Sequence, residues 1–307
     1  MRIIFSRKGF DSTSGGFPSP IFEDDTMVSL PIPYKSGVSY GDIWTGLPEF
    51  DRMGRLVEEL TKGRIKASSA AHLDPDLNSV SIDRVGGWRG TFGQSSSQQT
   101  NLDSNYVEPG DLFLFFGLLR RVGRGAQGKL QFTKGEPRKH VIFGWLKVDQ
   151  KYELPNRSNQ RVSLAELPAW AARHPHVEHS NVEPKPNALY AATPKLDSDS
   201  NIPGWGLFPK YKNELCLSHP NPPKDEHGKP KDLPSLWQLP AWMYPWREPN
   251  KEREPLSYHK KRERWAKFDN SHVTLQSVGR GQEFVLKTDQ YPQALAWAVN
   301  LITTCRI

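Results

Sequence analysis

Cysteine is scarce in this chain: Cys216 and Cys305 are the only two among 307 residues. That scarcity excludes a disulfide framework and a cysteine-based zinc site, and it fits a reducing compartment. Long apolar runs are also missing. No segment approaches the ~20 apolar residues that span a bilayer. The opening Met1-Arg2-Ile3-Ile4-Phe5-Ser6-Arg7-Lys8 lacks the apolar stretch of a secretion signal. The expectation is a cytoplasmic protein without a membrane partner. Apolar residues reach only 36%, so the core is small for the length. What the chain has in place of aliphatics is rings, 11% of its residues, with 10 Trp among them. Such side chains bury much apolar area while keeping a polar atom available, and bases stack on them. Core filling accounts for most.

Positive charge exceeds negative, with 41 Lys and Arg against 34 Asp and Glu and a formal charge of +7. That balance favours a polyanionic partner, because each neutralised phosphate releases counterions. The chain carries no internal repeat and no recognisable linker, which predicts a single domain over residues 1–307.

Arg2 to Ser6 reads as a short buried strand that opens into a turn-rich stretch. Extended pieces are expected at Met27–Ile32 and Val38–Tyr40. Apolar residues at three- and four-residue steps predict a helix from Leu47 to Lys62, stopped by Gly63. Residues 70–110 show little periodicity and read as a long functional loop. Asp111–Leu119 and Val141–Val148 are the two strongest strands, joined by a basic connection from Arg120 to His140. Ser163, followed by Glu166, predicts a capped helix to Arg173. The Pro- and Trp-rich stretch 181–260 reads as ordered wrapping. A basic helix at Lys260–Lys267, a strand at Phe284–Leu286 and a helix at Tyr291–Ile302 close the chain, the last with Leu295, Val299 and Ile302 on one face. The expected class is α+β: one large domain with a central mixed or barrel-like sheet, flanking helices and long ordered Pro/Trp-rich loops.

Candidate chemistry begins at Arg7-Lys8-Gly9-Phe10-Asp11-Ser12, charged residues placed just past an apolar strand and followed by Gly15-Gly16. Arg7 and Lys8 suit phosphate, Ser12 suits an oxygen acceptor, and Asp11 suits either a water molecule or positive charge developing on a sugar. The plainer alternative is a turn in which Asp11 caps backbone amides. In Gly90-Thr91-Phe92-Gly93-Gln94, the Gln94 amide suits a base edge and Phe92 suits stacking, against a simple glycine turn. Arg280, Gln282 and Glu283 follow Gly279 in a third glycine-flanked turn. It lacks the endings of a triphosphate loop or a dinucleotide fingerprint. His72, Asp74 and Asp76 match no metal template, and His174-Pro175-His176 has no evident partners to complete a shell. No metal or cofactor is expected.

Taken together, these segments resemble the third nucleotide-modification-associated domain family of bacteria. The resembling pieces are Phe5–Ser12 with Pro18-Ser19-Pro20-Ile21, His72–Leu77, Gly90–Gln94, Gly110–Gly117, His140–Trp145, Leu256–His259 and Val278–Phe284, in order along nearly the whole chain. The resemblance implies a protein linked to modified bases in DNA, in the setting of conflict with phage. Two functions are then expected. One is a glycosylase-like hydrolase that flips a modified base and cleaves its bond to the sugar, with Asp11 as the carboxylate. Its DNA and base contacts would be Arg7, Lys8, Ser12, Phe92, Gln94, Arg280 and Gln282. The other is a non-catalytic reader that recruits a nuclease or modification enzyme. Both require distant polar turns to meet in one cationic cavity.

Overall fold

The computed structural model describes residues 1–158, 164–165, 167–248, 253–266, 269–279 and 281–307. Alternation along the strongest apolar run decides the architecture. Leu112, Leu114 and Phe116 join one buried cluster, whereas Phe113 and Phe115 join another. Successive strand residues face opposite sides, so this strand must be covered on both.

In chain order the elements are β1 (Arg2–Arg7), β2 (Ser19–Ile21), α1 (Met53–Leu60), β3 (Thr91–Ser95), α2 (Ser96–Ser104), β4 (Leu112–Arg124), β5 (Leu130–Phe132) and β6 (Lys139–Glu153). They continue with α3 (Pro175–Glu178), β7 (Asn187–Ala192), β8 (Trp205–Leu207), β9 (Leu236–Pro240), β10 (Trp265–Ala266), β11 (His272–Gln276), β12 (Glu283–Lys287) and α4 (Gln293–Cys305). The large sheet runs β12-β1-β4-β6-β7-β3, with β2 and β5 added on β4 and β8 on β6. It is mixed, because β1 lies parallel to β4 but antiparallel to β12. A second sheet, β10-β11-β9, is antiparallel. The fold is therefore α+β, as expected, and the sheet does not close into a barrel.

It does curl. Gln94 on the β3 edge donates to Glu283 on the β12 edge at 2.6 Å. Asn101 of α2 donates to the Glu283 carbonyl, and Gln98 accepts from the Gln282 amide. Side chains and α2, rather than a ladder, bridge the two edges. Ile4, Phe92, Phe113, Phe115, Tyr190 and Val285 fill the concave side. The convex side packs on α4 and the second sheet around the fully buried Trp237.

Several expectations shift. Helix α1 begins at Met53, because the chain doubles back so that Trp44 bridges Arg52. It stops as expected: Gly63, at φ +75, donates to the Glu58 carbonyl. The stretch 70–110 hides β3 and α2. The helix buries only Gln99 and Leu102 and so shows no apolar stripe. The basic connection from Arg120 to His140 is partly sheet: β4 runs on to Arg124, β6 begins at Lys139, and β5 between them pairs back on β4. α4 buries Ala294, Ala298, Leu301, Ile302 and Cys305, while Leu295 is exposed. Small alanines, not the larger aliphatics, make its close contact. The expected basic helix is a 3-10 turn, Arg262–Arg264, leading into β10; Lys267 and Phe268 lie outside the described residues. Ser163 and Glu166 lie outside them too, and the described remainder of that helix holds a 3-10 turn at Ala169–Ala171. Met27 and Ile32 make isolated bridges rather than strands. Among the described residues no helix is long and apolar enough to cross a membrane.

Candidate functional site

The end of β1, the end of β3 and the start of β12 meet at one rim of the curled sheet. There they line a cleft of about 260 Å³ with Arg7, Lys8, Asp11, Gln94 and Gln282, joined by Tyr34, His72, Asp74, His176 and Glu183. Turns more than 270 residues apart in sequence thus share one opening. The described lining is not cationic, however: two cations face three carboxylates.

Each expected residue except Arg280 has a definite place. Asp11 Oδ1 accepts from the Thr13 amide, the Thr13 hydroxyl and the Ser14 amide, all at 2.7 Å. Asp11 therefore caps its own turn through Oδ1 while lining the cleft. Arg7 donates to the carbonyls of Gly279 and Gly281, both at 3.0 Å, and so braces the C-terminal glycine turn. Burial lowers its pKa, opposed by Asp11 and Glu283. Lys8 Nζ sits 3.0 Å from Glu283 Oε1 and 4.5 Å over the Phe92 ring, with a side chain only 9% exposed. The Gln94 amide is held between Glu283 and its neighbour Ser95. Gln282 is half-buried at the cleft wall. Ser12 is exposed and lies outside the lining. Phe92 is fully buried and stacks on Tyr190, so its ring is a core element with no face for a base. Arg280 lies outside the described residues.

The floor of the cleft was not legible in the sequence. His72, Asp74 and His176 offer ligand atoms within 4.8 Å of one another, and all three are buried. The two histidine-bearing segments, each incomplete alone, complete one another here. Asp76 takes no part: Arg84 clamps it bidentately at 2.5 and 2.6 Å and stacks over Trp88.

The hydrogen bonds fix the orientation of every ring. His72 Nδ1 lies 3.1 Å from the Lys35 carbonyl, which can only accept, so the proton is on Nδ1. His176 Nδ1 lies 2.9 Å from Asn187 Oδ1. The Asn187 amide cannot be reversed, because its NH₂ group donates to the carbonyls of Pro155 and His176. His174 Nδ1 accepts from the His176 amide, leaving its proton on Nε2, which faces Asp74 Oδ1 at 3.3 Å but off the line of a good hydrogen bond. The Gly93 amide donates to the same Oδ1 at 2.7 Å. Burial pushes the pKa of His72 and of His176 down to about 4. Burial alone would raise Asp74, but His174, His176 and Lys8 outweigh it and hold the carboxyl below its usual range.

β3 admits this cluster because Gly93 has no side chain. A Cβ there would stand 2.8 Å from His174 Cε1 and closer still to the His176 ring. Above the floor, Tyr34 is 45% exposed and sets its ring edge-on to His72 at 5.5 Å. It is a free aromatic face that no periodic pattern announced.

Comparison with curated proteins and with solved structures found no match. Comparison with family models found one, described as nucleotide modification associated domain 3, over residues 2–287. The match takes in every strand described above, both sheets and all the segments that build the cleft. The chain belongs to the nucleotide modification associated domain 3 family.

Proposed function

We propose that the cleft takes one nucleotide carrying a modified base, turned out of DNA, and that the protein then cleaves the bond from base to sugar. The observation behind this reading is the convergence of the N-terminal turn, the end of β3 and the start of β12 on one opening, in a family linked to nucleotide modification. Ligand pockets commonly run to roughly 300–1,000 Å³. A cleft near the bottom of that range suits a single extruded unit, not a duplex. Tyr34 supplies a face for stacking, and Gln282 a donor and an acceptor for the base edge. The carboxylate-rich floor repels phosphate. Flanking phosphates then fall to the exposed Lys35 and Lys185, which adjoin the lining residues Tyr34 and Pro184. Asp11, its Oδ1 fixed by three donors, presents Oδ2 to the positive charge that grows on the sugar as the bond breaks. Defence against phage with modified DNA is the setting this activity fits.

The test uses duplexes that each carry one 5-substituted pyrimidine or one N6-substituted adenine, beside the unmodified sequence. At least one should bind tenfold or more tightly, about 1.4 kcal/mol, and should acquire alkali-labile abasic sites. Asp11→Asn should abolish those sites and leave binding in place. Preference without abasic sites would assign the reader role instead. No preference for any modified duplex would overturn the reading.

A further inference from the structure

The tautomers described above leave an electrostatic imbalance at the floor of the cleft. His72 and His176 both carry the ring proton on Nδ1, given to a carbonyl oxygen. Each therefore has a bare lone pair at Nε2. His176 Nε2 stands 3.9 Å from Asp74 Oδ2. Asp74 Oδ1 is already served by the Gly93 amide and faced by His174, which turns Oδ2 to the same point. The His176 lone pair and the Asp74 oxygen that faces it repel one another, and His72 stands beside them at the cleft floor. A cation between them reverses the sign of that interaction.

We propose that His72, Asp74 and His176 bind one divalent first-row transition metal ion through His72 Nε2, His176 Nε2 and Asp74 Oδ2. Two imidazoles and one carboxylate are a borderline set that suits such ions, whereas magnesium and calcium favour all-oxygen shells. The three residues offer ligand atoms within 4.8 Å of one another, and ligand bonds of ~2.0–2.2 Å ask the set to close by roughly an ångström, which side-chain rotation supplies. The outer partners of such a site are already in place. The Lys35 carbonyl, the Asn187 amide, and the His174 ring with the Gly93 amide orient the three ligands in turn, as the groups hydrogen-bonded to metal ligands do. Lys8, a cation that acts on Asp74 and His176, is paired with Glu283. Three protein ligands leave coordination positions open, and His72, Asp74 and His176 all line the cleft. Water or an oxygen of a bound molecule completes the shell there. The metal inference stands on this geometry and not on the glycosylase reading.

The test strips the purified chain with a chelator, re-equilibrates it with Co(II) or Zn(II), desalts it and counts metal by mass spectrometry. One ion per chain is expected, with visible Co(II) absorption bands. Asp74→Ala and His72→Ala should each lose it, while His227→Ala, at an exposed histidine far from the cleft lining, should retain it. Asn187→Ala keeps all three ligands and should weaken binding ten- to a hundredfold. It decides the matter if a ligand variant fails to fold. Metal should raise the unfolding temperature of the unaltered chain and not that of Asp74→Ala. No retained metal, or retention unchanged in Asp74→Ala or in Asn187→Ala, would overturn the proposal. Modified-DNA preference is measured separately, so a bound ion without DNA preference, or the reverse, shows which of the two readings fails.

Discussion

A side chain at residue 93 would enter the space now held by the rings of His174 and His176. Gly93→Ala is expected to cost about 1–3 kcal/mol, the usual range for overpacking a close contact, and to weaken Co(II) binding. The urea midpoint should fall with the slope unchanged. Gly86→Ala, where a Cβ would meet nothing within 4 Å, is the comparison expected to stay near neutral. This same residue shows why the site was only half legible. Sequence placed Gly93 in a polar turn motif, and it singled out His72, Asp74, His174 and His176. It could not show that a glycine on one strand lets two histidines from ~80 residues downstream settle over an aspartate from ~20 upstream. Ligand sets assembled from separate loops have no local spacing to read. Phe92 teaches the converse lesson: an aromatic beside a glycine suggested a stacking surface, but strand alternation points it into the concave core.

The edge strands β3 and β12 meet at Glu283, which accepts from Gln94 of β3 and pairs with Lys8, just past the neighbouring strand β1. Lys8 and Glu283 are 3.0 Å apart and almost wholly removed from water, with Gln94 donating to the same Glu283 oxygen. Removing one partner leaves a buried charge uncompensated, a loss of about 3–5 kcal/mol in comparable cases. Glu283→Ala should therefore lower the denaturation midpoint sharply, and adding Lys8→Met should recover part of the loss. A change below about 1 kcal/mol would show that Glu283 does not hold these strands together. Elements with a clean apolar period were legible here: β1, β4, β6, β12 and the stop of α1 at Gly63 all follow from pattern and turn chemistry. α2 was not, because its role is to bridge two edges with Gln98 and Asn101, and polar bridging leaves no hydrophobic stripe. α4 was found, but its face was misread because alanines can pack more closely than leucine.

At the scale of the whole molecule, the +7 charge belongs to the surface and not to the cleft, whose described lining holds more carboxylates than cations. A net positive exterior favours a polyanion, while a lining richer in carboxylates than in cations disfavours a phosphate inside the cleft. Composition announced the first property. Only the fold, by gathering Asp11, Asp74 and Glu183 at one rim, produced the second. The most direct measurement of the central claim is therefore whether a nucleotide leaves the helix to enter this cleft. Placing 2-aminopurine next to the modified base of the tightest-binding duplex makes unstacking visible as fluorescence. The intensity should rise when the protein binds, and the rise should shrink severalfold with Tyr34→Ala or Gln282→Ala. A bound complex without that rise, or a rise that both variants leave intact, would contradict the account.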